Sequence, residues 1–110
     1  MANEVIYSDV FIKKAKVYKK KYISLVEDLY ELEEKLLENP HQGNDLGAGL
    51  YKIRLAVKSK GKGKSGGFRI ITYLVSDVTD GTIINMLTLY DKSEESSIDK
   101  KELQKIIKAL

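Results

Sequence analysis

Two arginines bracket a loop of alternating lysines and glycines, and these residue types suit the binding of a polyanion. Arg54 and Arg69 are the only arginines among nineteen cationic residues, and they flank the segment 58–67. Arginine grips a phosphate or carboxylate with a planar fork, whereas lysine supplies a point charge. The four lysines of the loop are Lys58, Lys60, Lys62 and Lys64. The glycines between them would let the backbone approach a phosphate chain whose charge the lysines neutralise.

The same composition is equally typical of a solvated hairpin connection, and the spacing alone does not decide between the two interpretations. A nucleotide-binding P-loop is excluded. The stretch Gly63-Lys64-Ser65 lacks the required glycine five positions earlier, where Lys58 stands, and a strand rather than a helix is predicted to follow it.

Tyr90 and Lys92 form a second group of candidates, at the end of the last predicted strand. A tyrosine in that place is most often a core residue with a hydrated hydroxyl. If the strands that carry Arg54 and Arg69 pair antiparallel through the loop, the two arginines lie within side-chain reach on one face of the sheet. Together with the loop, this arrangement favours contact with a ligand.

The composition excludes several classes of site. The chain has no cysteine and one histidine, so disulfides, thiolate nucleophiles, cysteine-based zinc sites and multi-histidine metal centres are ruled out, and we expect no cofactor and no metal. No apolar run approaches the roughly 20 residues of a membrane span, and the N-terminal residues do not resemble a secretory signal. We therefore expect a cytoplasmic protein without a membrane partner, folded as a single domain over residues 1–110.

Apolar residues at helical spacing predict two helices and a third at the end of the chain. The first is expected from about Asp9 to Tyr22. The second follows a capping box of Ser24 and Glu27 and ends near Glu38, before Asn39-Pro40. The last is expected to begin near Asp99, with Glu102 as a capping partner. Its buried face is predicted to contain Leu103, Ile106, Ile107 and Leu110.

Alternation of apolar and polar residues predicts three strands between the helices. They cover about 51–57, 68–75 and 82–90, and a short edge strand is expected at Val5–Tyr7. The predicted fold is α+β, in the order (β)ααβββα: an N-terminal helical hairpin packed on a three- to four-stranded antiparallel sheet, with a C-terminal helix. The helices are expected on one face, leaving the face with Arg54 open.

Four stretches of the chain resemble the RelE/HigB-type toxins of bacterial type II toxin–antitoxin modules. They are Gly49–Arg54, Gly61–Ile71, Leu87–Glu94 and the Lys-Lys-Glu-Leu start of the last helix. The Gly-Lys-Ser-Gly-Gly-x-Arg stretch together with the Tyr-x-Lys ending is the most specific part. Asp91 departs from the pattern, since a small residue is usual there.

The resemblance implies a metal-independent endoribonuclease that enters the ribosomal A site, cleaves translated mRNA and is held inactive by a cognate antitoxin, with no small-molecule substrate. The expected catalytic residues are Arg54, Lys64, Arg69 and Tyr90. The arginines would clamp the scissile phosphate, Lys64 would act electrostatically or in proton transfer, and Tyr90 would be the general base or acid. The expected RNA-binding residues are Lys58, Lys60, Lys62 and Lys92. The cations of the cluster are expected to lower the pKa values of the catalytic lysine and tyrosine.

Two other functions stay open on the same scaffold. One is a ParE-type inhibitor of DNA gyrase, which has no need of Arg54, Arg69 and Tyr90 on one face. The other is a basic RNA-binding domain without catalysis, whose RNA binding would depend strongly on salt concentration.

Overall fold

The computed structural model describes residues 3–61, 63, 66–77, 81–95 and 97–110, which form three helices and one five-stranded sheet. The elements in chain order are β1 (Glu4–Tyr7), α1 (Asp9–Lys21), α2 (Leu25–Glu38), β2 (Asn44–Gly47), β3 (Leu50–Leu55), a single 3-10 turn (Lys58–Lys60), β4 (Phe68–Asp77), β5 (Gly81–Asp91) and α3 (Lys100–Lys108). The predicted α+β class and the order of the predicted elements are confirmed, with one further strand, β2, between α2 and β3. Among the described residues, no helix is long and apolar enough to cross a membrane.

Of the two capping signatures predicted from the sequence, the one at Asp99 is confirmed, since Asp99 caps α3. Helix α1 begins where expected and is capped by Ser8, which accepts a hydrogen bond from the Phe11 amide at 3.0 Å. The capping box at Ser24 is wrong, because Ser24 has helical backbone angles and its side chain makes no cap bond. Its hydroxyl donates instead to the carboxylate of Asp28, at 2.8 Å.

The strands pair in the order β1-β5-β4-β3-β2. The three predicted strands form an antiparallel meander, as expected, but β1 pairs with β5 in parallel. The helical hairpin and the meander separate these two strands along the chain, and such a long connection permits parallel pairing. The second edge strand, β2, lies in a segment that was predicted to be a loop, since its four residues are polar or exposed and show no alternation.

The sheet has a core on each face. Helices α1 and α2 cover one face, with Phe11, Leu29, Ile70 and Leu89 among the buried residues. On the other face Leu103 and Ile106 of α3 pack against Ile71 and Leu87. The prediction that this second face stays open is therefore wrong in part. The prediction was wrong because successive side chains of a strand point to opposite faces of the sheet, and β4 and β5 carry apolar side chains on both faces. The apolar side chains on the second face also have to be buried, and α3 covers them.

The C-terminal helix buries fewer residues than its periodicity predicted. Leu103 and Ile106 are buried and Ile107 is half-buried, but Leu110 is 53% exposed and lies beyond the last turn of α3.

Candidate functional site

Strand register brings Arg54, Arg69 and Tyr90 into one row across the sheet. Arg54 of β3 lies opposite Arg69 of β4, and Arg69 lies opposite Tyr90 of β5. Directly opposed residues share a face, and their Cβ atoms lie roughly 4.5–5.5 Å apart. The row (Arg54, Arg69 and Tyr90) therefore places two guanidinium groups and a phenol side by side on the face that α3 partly covers.

The row runs from solvent into the protein. Arg54 is exposed, whereas Arg69 is 5% and Tyr90 only 1% exposed. One guanidinium nitrogen of Arg69, Nη1, donates to the carbonyl oxygen of Phe68 at 3.3 Å. The row thus offers an accessible cation at one end and a buried donor at the other.

Burial raises the pKa of Tyr90, while the nearby charge of Arg69 lowers it and that of Glu95 raises it. The net direction is upward, so the expectation that the cations would lower this pKa is wrong for Tyr90. Desolvation disfavours a phenolate more than one neighbouring arginine favours it. Tyr90 consequently stays protonated at neutral pH and can donate a hydrogen bond or a proton.

The first two lysines of the loop are engaged by carboxylates. Lys58 and Lys60 lie in the 3-10 turn after β3. The exposed ammonium of Lys58 is 3.0 Å from Glu31 Oε1 on α2. Lys60 forms an ion pair with Asp91 in which the two side chains are only 7% and 0% exposed. Lys62 and Lys64, the other two lysines predicted to take part, lie outside the described residues.

Asp91 is the centre of a buried network that sequence reasoning missed. Besides Lys60, its carboxylate accepts hydrogen bonds from the Tyr22 hydroxyl at 3.0 Å and from the Ser93 amide and hydroxyl at 3.0 and 2.8 Å. Burial by itself raises the pKa of Asp91, but the hydrogen bonds from Lys60, Ser93 and Tyr22 outweigh it and lower the pKa to about 2. The network joins the end of α1, the lysine loop and the end of β5, next to Tyr90.

A second buried carboxylate anchors the same loop from α2. Asp28, 2% exposed, accepts from the Lys58 amide at 3.1 Å and from the Ser24 hydroxyl at 2.8 Å. The Ser24 hydroxyl oxygen in turn accepts from the Ser59 amide at 2.8 Å. The helical periodicity of α2 places Asp28 next to Leu29 and Leu32, and this position beside apolar residues was the one available signal that it is not a surface carboxylate.

Lys92 lies just beyond β5, where its amide donates to the carbonyl oxygen of Gly67 at 3.1 Å. This bond closes the sheet at the point where β4 begins and β5 ends. Gly67 is required there, since a Cβ at this position would clash with the Leu55 carbonyl oxygen. The glycine thus permits the close approach that sets Arg69 beside Arg54 and Tyr90.

Within the described residues, no group of three or more His, Cys, Asp or Glu side chains comes together in a way that could hold a metal ion. The row itself consists of two guanidinium groups and one phenol. Such a set can bind and polarise a phosphodiester and can donate a proton.

A family model described as the RelE toxin of the RelE/RelB toxin–antitoxin system matches residues 7–110. The chain belongs to the RelE toxin family. It is accordingly the toxin of a toxin–antitoxin system, and the family implies a cognate antitoxin as its partner. The match covers the three helices, four whole strands and every residue of the row.

Proposed function

We propose that this RelE-family toxin is an endoribonuclease that cleaves mRNA on the ribosome, with Arg54, Arg69 and Tyr90 as catalytic residues. The observation that carries the proposal is the row itself, in which the strand register sets two guanidinium groups and a protonated phenol next to one another. A protein that acted by binding alone would not need this combination at one place.

The reaction that fits these groups is attack by the 2′-hydroxyl of the RNA on the adjacent phosphate. A new bond forms from the 2′-oxygen to phosphorus while the bond to the 5′-oxygen breaks, leaving a 2′,3′-cyclic phosphate and a 5′-hydroxyl. The arginines would stabilise the charge that develops on the phosphorane oxygens.

Two protons move in this reaction, and Tyr90 suits the donor role. Because burial raises its pKa, the phenol enters the reaction protonated and can deliver its proton to the departing 5′-oxygen. The 2′-hydroxyl must lose a proton to a second group. Lys64 stays the candidate for electrostatic stabilisation or proton transfer, as proposed from the resemblance.

Burial of Arg69 and Tyr90 is a reason to expect that free RNA is a poor substrate. Both side chains are almost fully covered, so the groups that cover them must shift before a phosphate can reach them. A ribosome that holds mRNA in an in-line geometry would offset the cost of this shift, because positioning can contribute roughly 7–11 kcal/mol to catalysis.

The test is to map mRNA ends in a translating extract with the native protein, Arg69→Ala, Tyr90→Phe and Tyr73→Phe. Tyr73 lies on β4 and contacts the α3 core, so its variant is a matched loss of one hydroxyl outside the row. We expect Tyr90→Phe to slow cleavage by about 100-fold or more, the usual worth of a proton donor, and Tyr73→Phe to cleave normally.

Three results would contradict the proposal. Equal cleavage by native protein and Tyr90→Phe would remove the tyrosine from the mechanism. Binding of RNA without any cleavage would favour the simple RNA-binding domain. Inhibited DNA supercoiling with intact mRNA would favour a ParE-type gyrase inhibitor.

A further inference from the structure

A pocket lined by several lysines lies where α1, the lysine loop and the end of β5 meet. It has a volume of about 600 Å³, within the range of small-molecule binding sites. Its lining includes three lysines, an aromatic ring and two serines: Lys21, Lys60, Lys92, Tyr22, Ser59 and Ser93. Lys21, Tyr22 and both serines were not among the residues singled out from the sequence.

The pocket is preorganised around Tyr22. The Tyr22 hydroxyl donates to buried Asp91, and its ring packs edge-on against Phe68 with the centroids 5.5 Å apart. The ammonium groups of Lys21 and Lys60 lie 5.4 and 5.5 Å from the centroid of the Tyr22 ring. Two cations are thereby held beside one fixed ring.

The charge of Lys21 is only weakly compensated at this pocket. Asp91 matches the charge of Lys60, and Glu94 Oε1 lies 3.8 Å from the ammonium of Lys21. Since the Lys21 and Glu94 side chains are 63% and 47% exposed, water weakens that pair. A phosphate can therefore compete with Glu94 for the ammonium of Lys21.

The pocket adjoins the row. Lys92 follows Tyr90 by two residues, so the Cα atoms of the two are at most about 7 Å apart. Gly66, which also lines the pocket, precedes Arg69 by three residues. The pocket is built on Phe68 and Asp91, which alternate with Arg69 and Tyr90 along their strands, so an RNA strand with one phosphate at the row would pass round the strand ends to reach the pocket.

We propose that the pocket around Lys21 and Tyr22 binds a phosphate of single-stranded RNA beside the one held at the row. Lys21 and Lys92 would supply the charge, and Asp91 would hold Tyr22 and Lys60 in place. This inference rests on the proposed function, because that function places the RNA strand at the row. It adds a second binding subsite for the RNA, on the other side of the sheet edge from the row.

The test measures binding of a single-stranded oligodeoxynucleotide, which lacks the 2′-hydroxyl and cannot be cleaved, by the full chain at several salt concentrations. We expect Lys21→Ala to weaken binding about three- to fivefold. It should also reduce the slope of log affinity against log salt by about 0.7, the share of one single-strand phosphate.

Lys20→Ala is the matched control, because Lys20 is an exposed lysine of the same helical turn and is not part of the pocket lining. We expect its affinity and salt slope to stay at the native values. Lys21→Arg should retain binding, and Glu94→Gln should tighten it, since a carboxylate is removed from the rim.

Equal losses in the Lys20 and Lys21 variants would overturn the subsite, because net charge alone would then account for them. Native cleavage on the ribosome, combined with unchanged oligonucleotide binding by Lys21→Ala, would overturn the subsite and leave the nuclease intact. Selective loss of binding in Lys21→Ala with mRNA uncut by the native protein would support the subsite and refute the nuclease.

Discussion

Replacing Asp91 by Asn tests whether the buried carboxylate stabilises the candidate site. Asn keeps the shape, and its single oxygen can still accept the hydrogen bonds from Ser93, but its NH2 group cannot accept the one from the Tyr22 hydroxyl. It also leaves the ammonium of Lys60 without its counter-charge in a place where the lysine side chain is 7% exposed. Removing one partner of a buried pair typically costs about 3–5 kcal/mol.

The pKa gives a second measure of the same effect. The pKa of Asp91 falls from 3.8 to about 2 on folding, which corresponds to roughly 2 kcal/mol. Together the two figures predict that Asp91→Asn lowers the free energy of unfolding by about 2–4 kcal/mol at neutral pH.

The loss should depend on pH with a defined sign. Because the folded pKa lies below the unfolded one, the contribution of the carboxylate is complete above about pH 4 and disappears as the pH falls towards 2. Denaturant titrations of native protein and Asp91→Asn between pH 2 and 7 should therefore converge at the acidic end. Comparing the two proteins cancels the titration of their other carboxylates.

The chain provides a matched control in the exposed pair of Lys58 and Glu31, whose side chains are 63% and 58% exposed. Glu31→Gln should change the free energy of unfolding by less than about 1 kcal/mol. Adding Lys60→Met to Asp91→Asn should recover stability, since the unpaired cation is then gone. An Asp91→Asn protein as stable as the native one, or a loss that stays constant down to pH 2, would refute the reasoning.

Two further substitutions test how the fold supports the site. Gly67→Ala should cost about 3 kcal/mol or more, because its Cβ would clash with the Leu55 carbonyl, whereas Gly47→Ala should cost only the roughly 1–2 kcal/mol of a left-handed alanine. Similar denaturation midpoints for the two would contradict this. Ser8→Ala removes the α1 cap and the 2.6 Å bond to the Leu87 carbonyl. We expect a loss of about 1–2 kcal/mol by calorimetry, and an unchanged melting temperature would disprove the role of the cap.

The local elements were largely predictable because their signals are short-range. Helix α2 followed from leucines at helical spacing, and the meander followed from alternation around two turns. Edge strand β2 could not be predicted, since a polar four-residue strand is defined by its pairing with β3 rather than by its own residues. The packing of α3 on the second face of the sheet was not predicted for a related reason. The apolar periodicity of a helix shows which of its residues are buried but not which face of the sheet they pack against.

The sequence by itself determined which residues could handle a phosphate and on which strands they lie. Arg54, Arg69 and Tyr90 stand out by type and position, and antiparallel pairing through a hairpin is enough to predict that the two arginines are neighbours. Only the tertiary structure decided their environment. In the folded chain Tyr90 is buried, which raises its pKa. Lys60 forms an ion pair with Asp91 instead of being exposed to solvent. Burial and ion pairing depend on contacts between residues that are distant in the sequence, so no local sequence pattern predicts them.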